Sequence, residues 1–156
     1  MLTTEEIAKS GFATRAVHVG AEKNMYGTLA APIYQTSTFI FENAEQGGRR
    51  FALEEEGYIY TRLGNPTCNA VEQKVASLEG AEACVSASSG MGAITSAIWV
   101  CVQAGDHIVA GKTLYGCTYA FMEHGLKRYG VEVSFVDMRD PKEVEKAMRP
   151  NTKLVY

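Results

Sequence analysis

The chain has 156 residues, enough for one domain with a real core, and its 46% apolar and 21% charged content is that of an ordinary soluble protein. A formal charge of −3, with lysines and arginines scattered and no basic run, excludes a nucleic-acid or membrane-surface footprint. The polar start at Met1 and Leu2 lacks the apolar core of a leader, and the longest apolar stretch, residues 94–102, is too short for a bilayer, so a cytoplasmic protein is expected.

In chain order, the T-x-x-E pattern at Thr3 and Glu6 predicts a helix over residues 4–10, stopped at Gly11. Up to about residue 64 periodicity is then weak. Gly20, Gly27, Pro32, Gly47, Gly48 and Gly57 punctuate a segment that carries Phe39, Phe41, Phe51, Tyr58 and Tyr60. This reads as an extended arm whose aromatic residues need burial on another subunit.

At Asn65 the texture changes. Asn65-Pro66 supplies a cap and a first-turn proline, Val71, Val75 and Leu78 recur at helical spacing, and Gly80 ends the helix. Residues 83–87 predict a short strand, and 93–102, apolar on all sides, a buried helix. A strand is expected over 107–110. Tyr119, Met122, Leu126 and Tyr129 mark one face of a helix, and 131–136 alternate as a strand. Asp140-Pro141-Lys142-Glu143 opens a helix with a cap and a reciprocal carboxylate, and a further strand begins at Lys153. Strands and helices alternating at this spacing predict a parallel α/β sheet. A strand run at the terminus, following Pro150-Asn151, is expected to need partners on both sides and so to belong to a longer protein.

Three stretches could carry chemistry. Ser88-Ser89-Gly90-Met91-Gly92 is a glycine turn opening a helix, where backbone N–H groups and the helix dipole suit a phosphate; the same turn also serves packing alone. A dinucleotide fingerprint is excluded, because Thr95 stands where its third glycine belongs and Asp106 lies at the wrong end of the next strand. A Walker loop is excluded because no Gly-Lys-Ser/Thr follows. In the second stretch, Tyr58, Tyr60 and Arg62 sit beside a turn; Arg62 could pair with a phosphate or simply be solvated. In the third, Tyr115-Gly116-Cys117 lies where a strand gives way to a helix, at the sheet end where α/β folds bind ligands. Tyr115 there can stack on a flat ligand and exchange a proton, and Cys117 sits near a helix N-terminus; ordinary packing explains both equally. Lys112, at a strand end, is a candidate cofactor lysine or a loop lysine in solvent. Cys68, Cys84, Cys101 and Cys117 form no C-x-x-C pair, and His18, His107 and His124 lie far apart, so reduced thiols and no metal are expected.

Taken together, Gly57-Tyr58-Ile59-Tyr60-Thr61-Arg62-Leu63-Gly64-Asn65-Pro66-Thr67, Ala31-Pro32-Ile33-Tyr34-Gln35-Thr36-Ser37-Thr38-Phe39 and Ser88-Ser89-Gly90-Met91 resemble the signatures of the cysteine/methionine-metabolism enzymes that use pyridoxal 5'-phosphate (PLP). The resemblance runs from about Phe12 to Tyr156. It implies an α/β fold of the aspartate-aminotransferase type (fold type I): an intersubunit arm over 1–64, then over 65–156 the first part of the large PLP-binding domain, a mostly parallel sheet with flanking helices. It implies that Tyr60 and Arg62 bind the phosphate of a neighbouring subunit's PLP, that Ser89, Gly90 and Met91 form the phosphate turn, and that Tyr115 stacks on the pyridine ring and moves protons. The implied assembly is a homotetramer built as a dimer of dimers, with a small amino acid as substrate.

Leu114-Tyr115-Gly116-Cys117-Thr118 resembles the methionine gamma-lyase branch, as does the run 45–55, which gives Cys117 a catalytic-site role and implies α,γ-elimination of L-methionine. Cystathionine gamma-lyase and O-acetylhomoserine sulfhydrylase are the neighbouring alternatives; a non-catalytic domain binding a phosphate ligand is one of another class. Family chains are more than twice as long, and their Schiff-base lysine and pyridine-nitrogen aspartate are expected beyond Tyr156.

Overall fold

The computed structural model describes residues 6–7, 9–21 and 24–156. The helix expected over 4–10, with its cap at Thr3, falls largely outside them. The chain divides into two units, Met1–Ser86 and Ala87–Tyr156.

The first unit holds three helices among its described residues that bear on the site: α1 (Phe12–His18), α2 (Ala44–Phe51) and α3 (Pro66–Glu79). α3 begins and ends as its sequence dictates. The Asn65 side chain accepts the Thr67 N–H at 2.8 Å, Pro66 occupies the first turn, and Gly80 leaves at φ 67 in the left-handed region. Val71 and Val75 nevertheless stay exposed, so their spacing located a helix rather than a buried face. α1 lies against α3, where the Arg15 guanidinium donates to the Ser77 carbonyl.

α2 departs from the extended reading of residues 1–64. Asn43 caps it by accepting the Gln46 N–H at 2.8 Å, and the Gln46 side chain accepts the Glu42 N–H at 2.8 Å, a variant of the capping box. Gly47 lets the Phe41 ring close in: a Cβ there would lie 3.0 Å from it. The arm's aromatics partly cover one another, Phe41 edge-on to Phe51 at 6.2 Å and Phe39 against Tyr58 at 5.2 Å. Glu55 gathers Arg49 (2.7 Å), Gln46 (2.9 Å) and Arg50 (3.3 Å), and the Arg49 hydrogen bond leads the effects that hold its carboxyl below the usual range.

The second unit is a three-stranded parallel sheet, ordered β2-β1-β3, with flanking helices. β1 (His107–Gly111) is central and buried at every position; β2 (Glu132–Val136) and β3 (Thr152–Val155) flank it. α4 (Gly90–Cys101) and α5 pack on it, the latter running through Gly116–Ala120, a π turn at Phe121–Gly125 and a 3-10 turn at Leu126–Tyr129. Ile98 and Val102, Ile108 and Ala110, Met122 and Leu126, and Val131 form the core. Trp99 sits edge-on to both Phe121 (6.0 Å) and Tyr129 (5.3 Å), joining α4 to α5. α6 (Pro141–Ala147) is capped by Asp140, which accepts the Lys142 N–H at 3.0 Å; the return bond expected from Glu143 is replaced, since the Asp140 N–H donates to the Asp137 carbonyl.

Three expectations are corrected. Residues 83–87 form no strand: none of them joins the three-stranded ladder, and Val85 is exposed. α4 is not buried all round: one face meets the sheet and α5, while Val100 and Cys101 stand exposed. Of the four residues expected on one face of α5, Met122 and Leu126 reach the core, with Tyr119 against Phe135 at 4.7 Å and Tyr129 exposed at the rim.

His107 is fully buried in the central strand, bracketed by a hydroxyl from each neighbour: Nδ1 to Thr152 Oγ1 at 2.8 Å and Nε2 to Ser134 Oγ at 2.9 Å. Hydroxyls both donate and accept, so the pair satisfies a neutral imidazole. Burial foremost, then the Arg149 charge, pushes its pKa below the ordinary value. The unfolded chain therefore binds a proton that the folded chain refuses. Stability from this site is complete above pH about 6.5 and falls as pH drops below it. Unfolding free energy of the full-length protein from pH 7.5 down to 5 should show this decline, and His107→Gln, which keeps a donor and an acceptor, should flatten it. An equal slope in both proteins would contradict the assignment.

Candidate active site

The turn Ser88-Ser89-Gly90-Met91-Gly92 opens α4. Ser89 is the cap: its Oγ accepts the Gly92 N–H at 2.9 Å and its carbonyl accepts the Ala93 N–H at 3.0 Å. The N–H groups of Gly90 and Met91 then have no acceptor inside the helix, as first-turn geometry requires. These donors lie at the positive end of a 12-residue helix, and a Cβ at Gly90 would meet nothing within 4 Å, so the turn itself is uncrowded. The Ser89 oxygen is engaged as the cap, and its hydroxyl hydrogen is what it can offer an anion.

In the same unit Tyr115 precedes α5 and is 67% exposed; Cys117 is exposed in the first turn. Interaction with the nearby Cys117 side chain raises the Tyr115 phenol above its usual pKa. Thr118, 1% exposed, donates its hydroxyl to Met91 Sδ at 3.5 Å, which ties the start of α5 to the glycine turn that opens α4. Sequence reasoning passed over Thr118; a threonine in an apolar α5 was the available signal.

In the first unit, Tyr60 and Arg62 lie on an open groove of about 690 Å³, lined also by Tyr34, Thr36 and Ser37. The Arg62 guanidinium stands over the Tyr60 ring at 5.4 Å, and both side chains are exposed. Lys112 is a surface lysine paired with Asp137 at 3.7 Å. Asp137 is also bound by Arg139, chiefly through a side-chain hydrogen bond, which holds its carboxyl well below the usual range. Among the described residues no group of His, Cys, Asp and Glu could hold a metal ion, and no helix is long and apolar enough to cross a membrane.

Residues 13–156 match the family model of the Cys/Met metabolism PLP-dependent enzymes. The chain belongs to this family. It is 74% identical over 97% of its length to L-methionine gamma-lyase of Porphyromonas gingivalis, covering 38% of that protein. It is 68% identical over 99% of its length to L-methionine gamma-lyase of Treponema denticola, covering 39% of it. The crystal structure of a putative O-acetylhomoserine (thiol)-lyase from Campylobacter jejuni, which carries N'-pyridoxyl-lysine-5'-monophosphate, matches with a TM-score of 0.85 at 33% identity, over 94% of this chain and 36% of that one. The chain thus spans about 38% of the length of a curated relative it matches.

The family's cofactor is PLP, a phosphate dianion attached to a flat pyridine ring. The residues present fit it. The first-turn N–H groups of α4, which have no acceptor inside the helix, suit the phosphate, and the exposed Tyr115 ring suits a planar face.

Proposed function

We propose that this chain supplies phosphate-binding and proton-moving residues of a PLP-dependent carbon–sulfur lyase that converts L-methionine to 2-oxobutanoate, ammonia and methanethiol. What supports this best is its likeness to the L-methionine gamma-lyases, about twice its identity to the thiol-lyase structure and covering both turns of the second unit. PLP, when bound, supplies the electron sink for the elimination.

The chain's own residues do the rest. The N–H groups of Gly90 and Met91, with the Ser89 hydroxyl, donate to the phosphate and set the ring's position. The Tyr115 ring stacks on it. The Tyr115 hydroxyl, a phenol protonated at neutral pH, gives its proton to the departing sulfur. Cys117, two residues on in the first turn of α5, lies beside the substrate side chain and selects which sulfur compound fits. Tyr60 and Arg62 clamp the phosphate held by a second copy of the chain, with residues 1–64 as an intersubunit arm and 65–156 as the start of the PLP domain. A cytoplasmic homotetramer, a dimer of dimers, is the assembly this reading favours.

The test is methanethiol release from L-methionine against cleavage of cystathionine by the full-length enzyme with PLP. Methionine should give the higher kcat/KM, and Cys117→Ser should shift the ratio toward cystathionine without loss of PLP. A preference for cystathionine, or for a homoserine ester with sulfide, would overturn the substrate assignment. An unchanged ratio in Cys117→Ser would reduce that cysteine to packing.

A further inference from the structure

Tyr60 and Arg62 are separated by one residue, and that residue is treated very differently. The Tyr60 carbonyl accepts the N–H groups of Leu63 (2.8 Å) and Gly64 (3.1 Å), so Thr61 and Arg62 are the central residues of a tight turn. Thr61 is fastened at three points. Its N–H donates to the Ser37 carbonyl at 2.9 Å, its hydroxyl donates to the Thr36 carbonyl, and its Oγ1 accepts from Asn65 Nδ2 at 3.1 Å.

Asn65 is 2% exposed and spends its whole amide on the same neighbourhood. Nδ2 also donates to the Tyr34 carbonyl at 2.9 Å, while Oδ1 accepts the Thr67 N–H. Thr67 closes the circuit, its hydroxyl accepting the Tyr34 N–H at 2.8 Å. Against this, the Arg62 guanidinium has only the Tyr60 ring beside it among the described residues. The backbone between the two exposed side chains is locked, and the side chains themselves are left for a ligand.

We propose that Thr61, held by Asn65, is a positioning residue: it fixes the turn so that Tyr60 and Arg62 present one preformed phosphate clamp. This deepens the reading of those two residues as phosphate ligands and rests on it. A side chain of this kind acts through pre-organisation, since a guanidinium already placed loses less freedom on binding. A hydroxyl is required because one atom must donate to a carbonyl and accept from an amide; valine, of the same shape, leaves the Thr36 carbonyl and one of the two Asn65 amide hydrogens without this partner.

The experiment is PLP titration of the full-length apo-enzyme by absorbance, with melting of each apo-protein alongside. Thr61→Val should weaken PLP binding roughly ten- to hundredfold, and Thr61→Ser should restore it to near wild type. Arg62→Ala should weaken binding by itself. The double variant Thr61→Val/Arg62→Ala should bind no worse than Arg62→Ala, because Thr61 acts through the arginine. If Arg62→Ala binds PLP normally, the phosphate-clamp reading falls, and the positioning role with it. If Arg62→Ala weakens binding while Thr61→Val does not, or the two losses add in full, or Thr61→Ser fails to rescue, the positioning role alone is overturned.

Discussion

Tyr115→Phe in the full-length enzyme should lower kcat for L-methionine by roughly 10²- to 10⁴-fold while PLP stays bound. The ring that stacks is retained, and only the hydroxyl is lost. On the proposed reading that hydroxyl is the proton donor to the departing sulfur, and the Cys117 side chain raises its pKa. The alkaline limb of the wild-type kcat profile should therefore lie above the ordinary tyrosine value of about 10. In Cys117→Ser the interaction with the sulfur is gone, and the limb should move down toward that value. Steady-state kinetics across pH, with the PLP absorbance band as the control for cofactor content, check both statements. Near wild-type turnover in Tyr115→Phe would remove the residue from proton transfer.

Gly20→Ala should be the most destabilising single-methyl change in the first unit. The backbone leaves α1 at φ +77, a left-handed conformation that costs a side-chain-bearing residue roughly 1–2 kcal/mol. The added Cβ would also stand 2.2 Å from the Ala70 carbonyl oxygen on α3, with the carbonyl carbon and Cα at 2.9 Å. Those are backbone atoms of a helix, which no rotamer change can move aside. Overpacking of this sort adds roughly 1–3 kcal/mol. Gly27 provides the comparison: its φ is +65, and a Cβ there meets nothing within 4 Å. Gly27→Ala should thus show only the conformational part. Equal losses of melting temperature in the two variants would mean that α1 and α3 are not in the close contact described.

Local signals in the sequence were strong where one residue type satisfies one backbone need. Asn65-Pro66 and Gly80 set both ends of α3, and the alternation after Val131 matched β2. α2 was missed because Gly47-Gly48 reads as a loop, whereas Gly47 is there to admit the Phe41 ring. That reason lies in a neighbour six residues away, and no helix propensity records it. Residues 83–87 have strand composition, but a strand exists only with a partner, and β1 already has one on each side.

The candidate site divides in the same way. The glycine turn at Ser89-Gly90-Met91 and the exposed Tyr115 were legible, because open helix ends and sheet-end turns leave a pattern. The Thr118–Met91 link and the fastening of Thr61 were not. Each depends on which side-chain atoms converge in space, and Thr61 in particular is paired with residues 24 and 25 positions earlier, at Ser37 and Thr36.

The most direct test of the account is a crystal structure of the full-length enzyme with PLP bound. The phosphate should lie within hydrogen-bond distance of the Gly90 and Met91 N–H groups of one copy, with the Tyr115 ring against the pyridine and Arg62 and Tyr60 reaching the same phosphate from a second copy. A phosphate held away from the α4 N-terminus, or Arg62 and Tyr60 facing solvent in the assembled enzyme, would contradict it.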